Sequence, residues 1–178
     1  MRVAMKYVIV FDPDRCSACS ACAVACMDQN DIDIQAGERG YRRAFEWESQ
    51  VGGQALCAYI SASCLHCGDA PCIMACPTGC LRRSLTTGLV IYDNSGCIGC
   101  RSCSLACPFG APRFRADGKM VKCDGCHVRL ENGLKPACVR ACAFDALICL
   151  TGGEYQKMLE EKAESSLVKA LGVWGPRG

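Results

Sequence analysis

Histidine and the large aromatics are scarce in this chain of 178 residues, which has 2 His, 2 Trp, 5 Phe and 5 Tyr. So few rings leave little material for one large apolar core. Long apolar runs are missing as well. The first, "YVIVF" at 7–11, stops at Asp12 and Pro13, far short of the roughly 18–20 residues that a membrane span needs. It is also too short for the core of a signal peptide, and it reads as a β-strand. Arg42–Arg43 and Arg82–Arg83 lie inside the chain and do not read as a twin-arginine leader. The expectation is a soluble, cytoplasmic chain without an export address of its own. No sign of charge dominates: 20 Lys and Arg face 18 Asp and Glu, a formal net charge of +2, which gives nucleic-acid binding little support. A Gly-rich nucleotide loop and the C-x3-C-x2-C signature of radical chemistry are both lacking, so nothing points to catalysis by this chain itself.

What the chain has in excess is cysteine, 19 in all. A disulfide framework fits poorly, because the count is odd and the chain is long for such scaffolds. Four groups stand out instead. The first, "CSACSACAVAC", holds Cys16, Cys19, Cys22 and Cys26; the second, "CLHCGDAPCIMACP", holds Cys64, Cys67, Cys72 and Cys76. The third, "CIGCRSCSLACP", holds Cys97, Cys100, Cys103 and Cys107. The fourth is split, with Cys123 and Cys126 in "KCDGC" and Cys138 and Cys142 in "ACVRAC". This is an internal repeat running from about residue 5 to 150.

The spacing has a physical reason. In C-x2-C-x2-C a loop wraps a [4Fe–4S] cube and offers it three sulfurs, while the fourth cysteine, three residues on and before a proline, serves a second cube. Pro77 and Pro108 stand where that pattern wants them. Zinc is the competing metal. It prefers C-x2-C pairs, often with histidine, and here only His66 and His127 are available; both read as residues that face solvent. Recurring triplets and the prolines favour iron–sulfur. Cys57, Cys80 and Cys149 are left over and read as buried or partly buried small apolar residues. Four oxidised clusters, each roughly −2 with its thiolates, would bring the loaded chain to about −6.

Between the groups, "KYVIVFD", "TGLVIYDNSG" at 87–96 and "ALICL" at 146–150 read as strands. Short helices are expected from Ala23 to about Gln29 and after Cys76, Cys107 and Cys142, since proline suits a first helical turn. Residues 27–63 carry no motif, and "YRRAFEWES" reads as an exposed hairpin or a docking surface. After Gly152–Gly153, residues Tyr155, Met158, Leu159, Lys162, Ala163, Leu167, Val168 and Leu171 form a helical stripe closed by Gly172. Such a stripe usually packs on its own domain, with docking to another chain as the alternative.

With "SCLHCGDAPCIMACPTG", "CIGCRSCSLACPFGAP" and "KCDGCHVRLENGLKPACVRAC" in this order, the chain resembles the iron–sulfur electron-transfer subunits of the dimethyl sulfoxide reductase family of molybdenum or tungsten bis-pterin oxidoreductases. The resemblance covers nearly all of 1–150. It implies an α+β, duplicated two-cluster ferredoxin-like fold with loop-rich insertions and a C-terminal helix. The domain at 1–150 would comprise an outer module (1–63 with 120–150) and an inner one (64–119), followed by a tail at 151–178. It further implies four [4Fe–4S] clusters with crossed ligation. One takes Cys16, Cys19, Cys22 and Cys142; its neighbour takes Cys123, Cys126, Cys138 and Cys26. A third takes Cys64, Cys67, Cys72 and Cys107, and the last takes Cys97, Cys100, Cys103 and Cys76. In such families the first-group cluster lies nearest the catalytic subunit and the four form a row.

The implied partners are a large catalytic subunit and a second redox partner, which could be flavin-bearing, quinone-linked or ferredoxin-like; neither nucleic acid nor a direct membrane span is expected. The same architecture occurs in hydrogenase and formate-hydrogenlyase proteins, and a free-standing polyferredoxin is the rival reading. Relatives are sometimes exported folded with a signal-bearing partner, the alternative to the cytoplasm. Some replace a third-group cysteine and hold a [3Fe–4S] cluster; here all three are present. The departures are alanine for glycine at Ala18 and Ala21 and the lack of a proline at Ala143, which could alter hydrogen bonding to the clusters. Arg101, Arg113, Lys122 and Arg140 lie beside ligand positions. Each either stabilises a reduced, more negative cluster or is an ordinary solvated charge.

Overall fold

A computed structural model describes residues 6–170. In chain order the elements are β1 (Tyr7–Phe11), α1 (Ala21–Gln29), β2 (Arg43–Val51), β3 (Gln54–Ala62), α2 (Pro71–Met74), β4 (Leu81–Arg83) and β5 (Val90–Tyr92). There follow α3 (Ser102–Ala106), β6 (Arg113–Phe114), β7 (Met120–Val121), α4 (His127–Glu131), α5 (Ala137–Arg140), β8 (Leu147–Thr151) and α6 (Gly152–Ala170). The described strands form antiparallel pairs only: β1 with β8, β2 with β3, β4 with β5 and β6 with β7. The fold is α+β, built of short helices and two-stranded ribbons.

Two-stranded ribbons are marginal in water by themselves, and the buried apolar residues do not merge into one core. They form separate patches, each including cysteine: Cys72 and Cys103 with Leu81, Val90 and Met120; Cys22 and Cys138 with Val139 and Leu147; Cys26 with Tyr41 and Val121. The pair β1–β8 brings the two ends of the repeat region together, with Tyr7 opposite Thr151 and Phe11 opposite Leu147.

The four cysteine groups fall into two local designs, where the sequence suggested three alike and one split. In the first and third groups a strand ends at an aspartate that caps a 3-10 turn. Asp12 Oδ1 accepts from Asp14 N and Asp93 Oδ1 from Ser95 N, both at 3.0 Å. The turns, Pro13–Arg15 and Asn94–Gly96, lead straight into Cys16 and Cys97. A helix then starts after a left-handed residue, Ser20 (φ 65) or Arg101 (φ 64). In the second and fourth groups a four-residue helix, α2 or α5, carries the third cysteine. It ends on an alanine of nearly the same conformation, Ala75 (φ −82, ψ −5) or Ala141 (φ −84, ψ −6).

These helices correct the expectation that helices follow the last cysteine. α2, α3 and α5 precede Cys76, Cys107 and Cys142. Proline disfavours helical conformation in the residue before it, so Pro108 ends the helix and leaves Cys107 extended (φ −86, ψ 113).

Residues 43–62 form the expected hairpin, turning at Gly52 (φ 58) and Gly53 (φ 82), where two positive φ values suit a tight turn whose twist matches the strands. Phe45, Trp47 and Leu56 on it remain exposed. α6 opens with a capping box: Glu154 Oε2 accepts from Thr151 N at 2.7 Å and from its hydroxyl at 2.8 Å. Tyr155 and Met158 are half-buried, whereas Leu159 and Leu167 are exposed. Val168, near the end of the stripe, is half-buried as well; Leu171 and Gly172 lie outside the described residues.

Backbone strain distinguishes two glycines. Gly99 (φ +68) would bring a Cβ within 2.9 Å of the Gly118 carbonyl oxygen, while at Gly110 (φ +60) a Cβ meets nothing within 4 Å. Gly110→Ala should therefore cost only the left-handed strain of about 1–2 kcal/mol. Gly99→Ala should cost clearly more, measured by chemical denaturation of the metal-loaded chain.

Candidate metal centres

The third position of each group, C-x-X-C, is where the local structure converges. Ala18 (φ 51), His66 (φ 47), Gly99 (φ 68) and Gly125 (φ 72) are all left-handed. This conformation folds the loop back so that backbone N–H groups point at sulfur. The N–H of Ala18, His66 and Gly125 donates to the Sγ of Cys16, Cys64 and Cys123 at 3.5, 3.5 and 3.4 Å. Cys97 Sγ receives its N–H from Met120 instead, at 3.4 Å, and Cys107 Sγ accepts from Ala111 N at 3.4 Å.

Three hollows are bordered by cysteine. Cys16, Cys19, Cys22 and Cys142 border the first, closed by Phe11, Phe144 and Leu147. Cys26, Cys123, Cys126 and Cys138 border the second, and Cys64, Cys67, Cys72 and Cys107 the third. The remaining four also gather: Cys76 and Cys97 pack against the patch containing Cys103, and Cys76 acts electrostatically on both Cys100 and Cys103. Each bordering set thus joins three cysteines of one group to one from another.

The donor chemistry suits a cluster better than an ion. Zinc holds its sulfurs at about 2.3 Å, which requires four of them nearly in contact. Among the described residues no three His, Cys, Asp or Glu side chains are set to hold a single metal ion; the cysteines stand around hollows. Burial pushes six of these thiols up: Cys103 and Cys126 to about 11, Cys123 further, and Cys22, Cys26 and Cys72 in the same direction. A bare thiolate is costly there, and a cationic metal centre is what would make it favourable. Two go the other way. Burial raises Cys76, but hydrogen bonds from the Thr78 hydroxyl and from the backbone of Leu81, Thr78 and Cys80 outweigh that and bring it to about 7; hydrogen bonds from the Ser102 side chain and backbone lower Cys100.

Several neighbours of the sulfurs carry no signal in the local sequence. His66, expected to face solvent, is buried; burial, then the charges of Lys122, Arg83 and Arg42, hold it well below the usual histidine range, so it is a neutral imidazole. Arg42 is buried between the hairpin and the cysteines and donates to Ser61 Oγ at 2.9 Å and to Ser63 Oγ at 2.7 Å. Ser61 Oγ, which accepts from Arg42, also lies within hydrogen-bond distance of Cys22 Sγ, 3.4 Å away. Nothing in local spacing marks Arg42 or Ser61, because their partners are joined by tertiary packing.

Of the cations noted beside ligand positions, Lys122 reaches a sulfur, Cys64 Sγ at 3.8 Å. Arg101 lies over the Phe114 ring at 5.3 Å, Arg113 donates to the Arg39 and Gly40 carbonyls, and Arg140 is exposed. Among the spare cysteines, Cys80 is buried against Thr78 Oγ1 at 3.0 Å and Cys149 packs beside Leu147. Cys57 corrects the expectation of burial. It is exposed on β3 with its thiol on Glu46 Oε1 at 2.9 Å, because a lone hairpin has no second layer to cover it.

Residues 55–150 match a family described as the 4Fe-4S dicluster domain. The protein is 40% identical over 152 residues to a subunit of the anaerobic dimethyl sulfoxide reductase of Haemophilus influenzae, covering 80% of this sequence and 72% of that one. It is 39% identical over 149 residues to the thiosulfate reductase electron transfer subunit PhsB of Salmonella typhi, with 80% and 74% covered. It is 30% identical over 186 residues to the iron-sulfur subunit of the nitrate-inducible formate dehydrogenase of Escherichia coli, with 95% and 63% covered.

The Arg42–Ser61–Cys22 contacts can be probed directly. Ser61→Ala removes a bond to a buried guanidinium and should cost about 1.5–3 kcal/mol, measured by chemical denaturation, with Ser63→Ala affecting the same cation.

Proposed function

The chain belongs to the 4Fe-4S dicluster family, with the iron–sulfur subunits of the dimethyl sulfoxide reductase type, and from that membership we propose an electron-transfer subunit that carries four [4Fe–4S] clusters. The observation that carries this reading is the set of three hollows, each bordered by three cysteines of one group and one of another. Cys16, Cys19, Cys22 and Cys142 hold one cluster; Cys26, Cys123, Cys126 and Cys138 hold its neighbour. Cys64, Cys67, Cys72 and Cys107 hold a third, and Cys76, Cys97, Cys100 and Cys103 the fourth. When bound, the clusters supply one-electron redox chemistry. The chain's residues supply the thiolates, the N–H groups aimed at them and the apolar walls that keep water away.

The shared design of groups one and three, and of groups two and four, supports a duplicated fold. Its outer module is 1–63 with 120–150 and its inner module 64–119; 151–178 forms a tail. The chain relays electrons between a large catalytic subunit, of molybdenum or tungsten bis-pterin type, and a second redox partner, and it works in the cytoplasm. A catalytic role of its own is not proposed. No described helix is long and apolar enough to cross a membrane. The relatives are named as parts of reductases and a dehydrogenase, which favours a fixed subunit over a free-standing carrier.

Protein purified without oxygen should contain about sixteen iron and sixteen sulfide per chain. Near twelve iron, or stoichiometric zinc, would overturn the assignment. Crossed ligation adds a second outcome. Truncation after residue 120 should abolish the EPR signals of both outer clusters, because Cys142 is lost to the first group along with Cys123, Cys126 and Cys138. Survival of three clusters would refute the crossing.

A further inference from the structure

His66 breaks a local rule. The left-handed third position of a cysteine loop costs a residue with a Cβ about 1–2 kcal/mol, and the third and fourth groups use glycine there, the first a small alanine. The second group holds a histidine that is 4% exposed. A buried polar side chain at a strained position points to a role for its ring.

The ring's partners define that role. Nδ1 accepts the Val90 N–H at 3.0 Å, so the proton of the neutral imidazole sits on Nε2. Nε2 lies 3.7 Å from the Sγ of Cys123, which belongs to a different group 57 residues away. The imidazole also rests on Gly125, where a Cβ would come within 3.3 Å of both Cε1 and Nε2 and within 2.4 Å of Leu89 Cδ1. Lys122 does the converse. It precedes Cys123, is 1% exposed and spends two hydrogens on the Val90 and Cys123 carbonyls at 2.6 Å each. Its third faces the Sγ of Cys64 at 3.8 Å.

We propose that His66 and Lys122 form a reciprocal bridge between two neighbouring cluster sites, each donating from one cysteine group to the leading sulfur of the other. His66 Nε2–H sets the reduction potential of the site formed by Cys26, Cys123, Cys126 and Cys138. Lys122 does the same for the site formed by Cys64, Cys67, Cys72 and Cys107. This rests on the hollows being cluster sites. The physical ground is that a hydrogen bond to a ligating sulfur stabilises the more negative, reduced state and raises the potential. The other third-position residues, Ala18, Gly99 and Gly125, have no side-chain donor, so at that position the tuning falls to His66. Both residues are positioning residues, acting through the sulfurs they touch.

The test is an EPR-monitored redox titration of the cluster-loaded protein. His66→Phe keeps a ring of similar size and removes both nitrogens. It should retain full iron and lower one midpoint by an amount equivalent to about tenfold in the reduction equilibrium, about 59 mV for one electron. His66→Gln, whose amide can place an N–H at similar reach, should restore most of that shift. Lys122→Met should lower the midpoint of a different cluster. Full iron with all four midpoints of H66F moved less than twofold in equilibrium would overturn the proposal. If H66F sheds iron, Lys122→Met decides: unshifted midpoints overturn the bridge, and a fall in one midpoint supports it. Failure of the cluster reading itself would show in the unsubstituted chain, as fewer than four reducible centres.

Discussion

Five residues near one end of the repeat region, Tyr7–Phe11, pair antiparallel with five near the other, Leu147–Thr151, and the cysteine architecture depends on that closure. Asp12 N extends it by donating to the Ala146 carbonyl at 2.8 Å. Cys142 comes beside Cys16, Cys19 and Cys22, and Cys26 beside Cys123, Cys126 and Cys138, because the strands that flank them are zipped together. A ribbon of two strands is a weak clasp by itself. The apolar patches at its base are small and are partly made of cysteine. The fold therefore stands or falls with what the sulfurs bind, a coupling of metal and folding that small metal domains share.

The same economy explains the interior. With few aromatic rings, the chain fills space with cysteine, alanine and short aliphatics arranged around the hollows, and it buries cations where a larger protein would bury a phenyl ring. Arg42 and Lys122 are both buried, and their hydrogen bonds go to hydroxyls, carbonyls and a sulfur. Lys122 is satisfied by two carbonyls and a neighbouring sulfur, whereas Arg42 bonds the Ser61 and Ser63 hydroxyls and the Ser61 carbonyl and keeps its Nε without a partner; a buried charge left wholly unpaired would cost several kcal/mol. Placed beside cysteines that bind anionic clusters, these cations would gain their counter-charge on loading, so the electrostatics of the interior are complete only in the metal-bound state.

How much is legible in the sequence follows from the range of each interaction. The cysteine spacing is local, so the four groups and the strand at Tyr7–Phe11 can be read directly; of the hairpin, its first strand in "YRRAFEWES" is legible and the second is not. The helices fall a few residues earlier than expected because Pro77 and Pro108 look like helix starts, whereas proline's restriction on the preceding residue ends the helix before Cys76 and Cys107. Cys57 defeats the expectation of burial because alternation along a strand says which face a side chain takes but not whether anything covers that face.

By itself the sequence determined the chemistry: which residue type carries the ligands, the loop spacing that lets three sulfurs face one centre, and the charge left to balance. Only tertiary structure decided which distant group lends the fourth cysteine to each hollow. It also decided that His66 turns inward to Cys123 and not out to water, and that among the neighbouring cations Lys122 reaches a sulfur. The physical reason is distance along the chain. Contacts across 57 or 58 residues leave no periodicity for local reading, and they exist only once strand pairing and packing have closed the loops between them.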